Sequence, residues 1–276
     1  MPERAGSAHP GESMFAWQDD LGELAPTRAR SGRPSVADSW VVDNGCVRRL
    51  DLHLARFSTS CRAGYGRYAA GADRFLAAVR EALPGTGEWF PRIEFEYGKG
   101  FRLRLRPTPE RGGEVVLWVA DQPDSRVQPT VKGPDLDLLT ALREEAARRG
   151  ANEALLTTRS GIVLEGALSS VLWWRGDVLC APPLTLPVLP GVTRATLLSI
   201  AAEAGTQVCC ENCHPEDLDG AEVWVVSALH GIRAVTGWAG SGLRAGTARR
   251  AEAWQARLAA TAAPVVPRSG AAGRDR

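Results

Sequence analysis

The sequence predicts an α+β protein of two domains, and three observations predict it. Strand-like alternation and helix-period stretches occur in both halves of the chain, so neither half is all-helical or all-strand. A polar, proline-containing segment, DQPDSRVQPT at 121–130, separates the halves and reads as a linker. At 276 residues the chain is long enough to give each half its own core. The expected division is a small N-terminal α+β domain over 13–122, a linker over 123–130 and a larger C-terminal domain over 131–260, meeting at a cleft. The ends, 1–12 and 261–276, are rich in Ala, Gly, Pro and Arg and read as disordered tails.

In the first half, SWVVDNGCVRRL (39–50) reads as strand, followed by helical DLHLARFSTSC (51–61) and AGADRFLAAVREAL (70–83). RIEFEY (92–97), FRLRLRP (101–107) and EVVLWVA (114–120) alternate and read as strands. Lys99 lies in YGKGF, a glycine-flanked turn that reads as a solvated hairpin tip.

In the second half a helix opens at Pro134 with acids at Asp135 and Asp137, runs through LLTALREEAARR and stops at Gly150. EALLTT, GIVLE, SSVLWW and DVLCAP read as strands, joined by RSG and RGD turns. Trp173 and Trp174 must face opposite sides of their strand. LPGVTRATLLSIAAEAG is a loop running into a helix capped by Gly205. EVWVVSAL and GIRAVTGW give two more strands, and ARRAEAWQARLAAT a last helix.

Several function classes are set aside by composition. A net charge of +1 gives no electrostatic reason to expect nucleic acid or a membrane surface as a partner. No apolar run reaches the roughly 18 residues of a membrane helix. MPERAGSAHPGES carries no apolar signal core, so the expectation is a cytoplasmic protein. The six cysteines then read as reduced thiols. CENCH (210–214) fits the C-x-x-C-H form of haem attachment, but that chemistry needs export, and the only methionines are Met1 and Met14. No further zinc ligands stand at a suitable spacing, so no metal is expected and CENCH reads as a chance run near a strand end.

The lysine count points to chemistry. Of the 33 basic residues only Lys99 and Lys132 are lysines, and Lys132 stands just before a helix start in PTVKGPDL. Lysine can act as an amine nucleophile or base, which arginine cannot. After it, in order, come Glu165 in GIVLEGALSS and LPGVTR opening a helix at 189–194. That order suits a pyridoxal phosphate enzyme, which needs a Schiff-base lysine, an acid at the ring nitrogen and helix-start amides for a phosphate.

Over about residues 36–240 the chain resembles the class IV aminotransferase family, the fold-type IV pyridoxal phosphate enzymes, whose fold is D-amino-acid aminotransferase-like with the cofactor in the interdomain cleft. LDLHLARF is similar to its H-x-x-R helix, which implies Arg56 as a phosphate ligand. VKGPDLDLL falls at the family's lysine, Lys132. GANEALLTTRSGIVLEGALSSVLWW is similar to the G-A-D-E-A-L…E-G-x-x-S-N run, which implies Glu165 at the ring nitrogen, with Ser169 and Ser170 beside the cofactor. LPGVTR resembles L-x-G-I-T-R, placing Leu189 on the ring and Val192 and Thr193 at the phosphate. AEVWVVSALHGIRAV resembles the strand-turn-strand that closes the site; it implies Ala228 at the cofactor and Ser227, Leu229 and His230 at the substrate. His53 reads as a structural helix residue.

The chain also departs from the family. GRPSVADSWVVDNG lacks the usual Y-G-D-G segment, and Val41 replaces the strand arginine of ordinary transaminases. Ser227-Ala228-Leu229 lacks the phosphate-binding hydroxyl at Ala228, leaving backbone amides, and resembles the N-A-L turn of aminodeoxychorismate lyases. Ser170 stands where the family has asparagine. The resemblance therefore implies a homodimer acting on a small amino substrate. The favoured reaction is elimination of pyruvate from 4-amino-4-deoxychorismate to leave p-aminobenzoate. The alternatives are a ping-pong amino-acid transaminase and a non-catalytic scaffold.

Overall fold

Alternation in RIEFEY and FRLRLRP sends Ile93, Phe95, Phe101 and Leu103 to one side of a sheet, where they form the core of the first of two units. The computed structural model describes residues 11–28 and 32–265. The first unit runs to Pro109 and takes back the chain from Ala263; the second is Glu110–Ala262.

In chain order the first unit holds β1 (Ser13–Gln18), β2 (Glu23–Pro26), β3 (Val36–Ser39), β4 (Val42–Asp43), β5 (Cys46–Arg48), α1 (Leu50–Tyr65), α2 (Ala72–Ala82), β6 (Glu88–Trp89), β7 (Arg92–Glu96) and β8 (Gly100–Leu105). Five strands make one sheet in the order β2-β1-β8-β7-β3. Phe57 of α1 and Phe75 of α2 pack on Phe101 at centroid distances of 6.2 and 4.9 Å. The stretch expected as a single strand over 39–50 is broken. Asn44 and Gly45 take φ of +46° and +76°, which turns the chain into the β4–β5 hairpin. Lys99 sits in the β7–β8 turn, 2.7 Å from Glu96.

The second unit holds β9 (Glu114–Val119), α3 (Leu136–Arg148), β10 (Glu153–Thr157), β11 (Val163–Gly166), β12 (Ser170–Arg175), β13 (Val178–Ala181), α4 (Val192–Glu203), β14 (Val208–Cys210), β15 (Val223–Ser227), β16 (Gly231–Ala239) and α5 (Ala251–Ala259). The strands form one sheet, β11-β10-β9-β16-β15-β12-β13-β14. Along β12, Val171 and Trp173 face one core while Leu172 and Trp174 face another with Trp224 and Trp254, the alternation expected of adjacent tryptophans. Leu139, Leu142 and Ala146 of α3 cover Trp118, Ala154 and Leu156.

Two boundaries differ from expectation. The division falls at Pro109/Glu110, ahead of the expected linker at 123–130. The reason is pairing: EVVLWVA lies parallel to both β10 and β16, so it belongs to the second sheet. The supposed linker is also tied down, with Asp124 N–H donating to Thr157 O at 2.9 Å. At the C-terminus, the segment expected as tail begins with a strand, β17 (Ala262–Pro264), which joins β5 in the first unit, and Val265 N–H donates to Gly45 O. The expected tails at 1–10 and 266–276 lie outside the described residues. No helix among the described residues is long and apolar enough to cross a membrane.

Candidate active site

The segment leading into α3 carries Lys132, which is partly buried. Asp135 closes this segment: its two carboxylate oxygens accept the N–H groups of Val127 and Gln128 at 3.0 and 2.9 Å. Immediately before those amides stands Arg126. Its guanidinium bonds Asp124, the Pro187 carbonyl at 3.0 Å and Glu165 Oε1 at 2.6 Å.

Glu165 lies on β11, 4% exposed. Besides Arg126, its Oε1 accepts the Leu189 N–H at 2.8 Å. Burial pushes the carboxyl up to about 7, against the opposing pull of Arg126 and the Leu189 amide. Burial acts against the Arg126 charge as well, but Asp124 and Glu165 overcome it and hold the guanidinium protonated. The pair therefore keeps a cation fixed beside a carboxyl that titrates near neutrality.

The loop through Leu189 opens α4 at Gly191. A Cβ there would overlap Ser170 Oγ, so the α4 start lies close against β12 and a larger residue would require that hydroxyl to turn aside. Val192 and Thr193, both buried, form the first turn, where helix amides are left for an anion. Glu165, Ser170, Leu189 and Arg194 line one small void. The Ser169 hydroxyl turns the other way, donating to buried Glu153 at 3.1 Å, and Arg233 meets the same oxygen at 3.2 Å.

The β15–β16 turn is pinned from three sides. Ser227 Oγ accepts the His230 N–H, Gln255 bonds both Ile232 N–H and His230 O, and Gly112 N–H donates to His230 Nδ1 at 3.3 Å. Burial, with Arg233, Arg143 and Arg111 nearby, drops the His230 pKa to about 4, so its ring is neutral at physiological pH.

Arg56 belongs to the first unit. It grips fully buried Asp38 with Nε and Nη2 at 2.9 and 2.8 Å, and His53 Nδ1 meets the same carboxylate at 2.8 Å. Burial opposes the Asp38 charge, but Arg56 and His53 overcome it and hold the carboxyl well below the usual range. His53 thus serves structure, locking Asp38 to α1.

The structure brings Lys132, Glu165, Ser170, Leu189, Val192, Thr193 and the 227–230 turn into one unit and Arg56 into the other. Sequence reasoning missed Arg126, Asp124, Asp135 and Asp38. Asp38 had a signal: an acid in the apolar run VADSWVV demands a partner, and H-x-x-R one helical turn apart supplies two. Arg126 had none, because Glu165, the partner that draws it into the site, is 39 residues away. Cys210 ends β14, Cys213 is buried and His214 caps a one-turn 3₁₀ helix with Asp217. Among the described residues no group of three or more His, Cys, Asp or Glu side chains is placed to hold a metal.

Residues 35–238 match the family described as Amino-transferase class IV. The branched-chain-amino-acid aminotransferase of Escherichia coli (strain K12) is 36% identical over 64 residues, 23% of this chain and 21% of that enzyme. The bifunctional aminodeoxychorismate lyase / D-amino acid transaminase of Mycobacterium tuberculosis is 28% identical over 132 residues, 45% of this chain and 43% of that enzyme. The matches thus span less than half of either relative. In fold, the chain is similar to an aminotransferase from Brucella abortus bound to the cofactor PLP, with a TM-score of 0.72, 21% identity, and 90% and 99% of the two chains covered.

Proposed function

The chain belongs to the class IV amino-transferase family, and within it we propose a pyridoxal phosphate enzyme that removes pyruvate from 4-amino-4-deoxychorismate. The family's enzymes use pyridoxal 5′-phosphate, and the donor set suits it: a partly buried amine, a buried acid and an open helix start. The observation that carries the reading is the Arg126–Glu165–Leu189 assembly. Both bonds fall on Oε1, which leaves Oε2 to accept an N–H from the cofactor's ring.

The cofactor, when bound, supplies an electron sink for the substrate's Cα–H bond electrons. Lys132 Nζ would anchor the cofactor aldehyde and, unprotonated, would take the proton from substrate Cα. Glu165 would hold a proton at the ring nitrogen; a cationic N–H on Oε2 would favour its ionised form, which burial alone disfavours. Leu189 would pack on the ring. The Val192 and Thr193 amides would take the phosphate, a role the family resemblance also implies for Arg56, and at Ala228 only the backbone could contribute. Ser170 lies against the Gly191 turn, and Ser227, Leu229 and His230 would meet the substrate. A homodimer is part of the proposal, to be read by light scattering.

The Ser227-Ala228-Leu229 turn and Val41 favour elimination; the similarity to branched-chain aminotransferase favours amino transfer as the second reading. Purified protein is given pyridoxal phosphate and borohydride, for wild type and Lys132→Ala. The expected result is a reduced lysine adduct in wild type that the variant lacks. Pyruvate released from 4-amino-4-deoxychorismate, without a 2-oxo acid acceptor, then supports the lyase. Turnover only with an acceptor overturns it in favour of transamination, and no adduct in wild type overturns both.

A further inference from the structure

Asp135 has no place in the chemistry described so far, yet it is only 3% exposed and stands three residues beyond Lys132. A buried carboxylate needs hydrogen-bond donors. Asp135 occupies the N-cap of α3, but its side chain makes no bond to the amides of that helix. It turns back instead, one oxygen to Val127 N–H and the other to Gln128 N–H.

The consequence lies in what those two amides adjoin. They follow directly on Arg126, whose guanidinium holds Glu165. One side chain therefore closes the segment 127–135, with Lys132 inside the closure and Arg126 at its mouth. With one N–H on each oxygen, an asparagine in the same geometry keeps one bond and turns its NH₂ toward the second N–H. The carboxylate is thus the group that fits.

We propose that Asp135 is a positioning residue, fixing Lys132 in register with the Arg126–Glu165 pair before the cofactor arrives. The amine and the ring-nitrogen acceptor address opposite ends of one rigid ring, so an error in their spacing is not absorbed by the ligand. This inference rests on the proposed role of Lys132.

The test uses the full chain, wild type and Asp135→Asn. In wild type without cofactor, hydrogen exchange is expected to show the Val127 and Gln128 amides protected; exchange at the unprotected rate overturns the brace whatever the variant does. With pyridoxal phosphate, the borohydride-trapped lysine adduct of Asp135→Asn is expected to form at least about tenfold more slowly, as a small misplacement of a reacting group demands. A variant that only melts lower, with a wild-type trapping rate, overturns the inference while leaving the cofactor reading intact. No adduct in wild type overturns the cofactor reading and this inference with it.

Discussion

Replacing Arg126 with Met keeps the aliphatic stem and deletes the guanidinium. The side chain is 3% exposed, and its loss strips the charged partner from two buried carboxylates, Asp124 at 8% and Glu165 at 5% exposure. Breaking a buried ion pair costs about 3–5 kcal/mol, because the remaining charge is left uncompensated. Glu165 has an escape, since burial already holds it at about 7 and a further push leaves it neutral. The loss is therefore smaller at pH 6 than at pH 8, by up to about 1.4 kcal/mol per pH unit over that window. At pH 8 the full cost lowers the melting temperature by roughly 10 °C, taking about 2–4 °C per kcal/mol for a unit of this size. Adding Glu165→Gln removes one orphaned charge, so the double variant melts above the sum of the singles by about 1 kcal/mol or more. Differential scanning calorimetry at the two pH values reads all of this. A single variant that melts within 2 °C of wild type at pH 8, or loses stability equally at both pH values with no relief from Glu165→Gln, refutes the reasoning.

Gly191→Ala forces the Ser170 hydroxyl to turn aside and costs about 1 kcal/mol as an overpacked contact; Ser170→Ala in the same chain restores most of it, read by urea titration. A Gly191→Ala chain that Ser170→Ala destabilises further refutes the contact. Glu165 also sets a slope of stability with pH. Its folded pKa is raised from 4.5 to about 7, so its contribution is fully present below 4.5 and lost as pH rises through about 7. Wild type without cofactor loses more stability between pH 5 and 8 than Glu165→Gln does, in paired denaturant titrations, and equal slopes in the two proteins refute the shift.

What the sequence discloses and what it withholds divide by range. The helices at 50–65, 72–82, 136–148 and 192–203 are local patterns with local stops, and each lies close to where periodicity places it. The opposite facing of Trp173 and Trp174 is equally local. The domain boundary is not. EVVLWVA alternates whichever sheet it joins, and only its parallel neighbours, one reached across α3 and the other much later in the chain, assign it to the second unit. Lys132 stands out by composition, Glu165 and LPGVTR by motif. Arg126 is one of 31 arginines in a chain that uses arginine for nearly every positive charge, so nothing local marks it.

Asp38 and Glu165 show why burial alone does not decide what a carboxylate is for. Each is buried and each faces an arginine. Asp38 has its arginine through two nitrogens, adds His53, and accepts the Ser39 N–H at 2.8 Å, so donors converge on both oxygens. It stays an anion, and its work is to hold α1 against β3. Glu165 receives one nitrogen of Arg126, whose remaining donors go to Asp124 and the Pro187 carbonyl, and both of its own bonds fall on a single oxygen. Its pKa stays high because burial outweighs the pull of Arg126 and the Leu189 amide, and nearby Asp124 adds a smaller push in the same direction. A hydrogen-bond donor on the other oxygen would favour the ionised form, which is the part the proposed function gives to the cofactor's ring nitrogen.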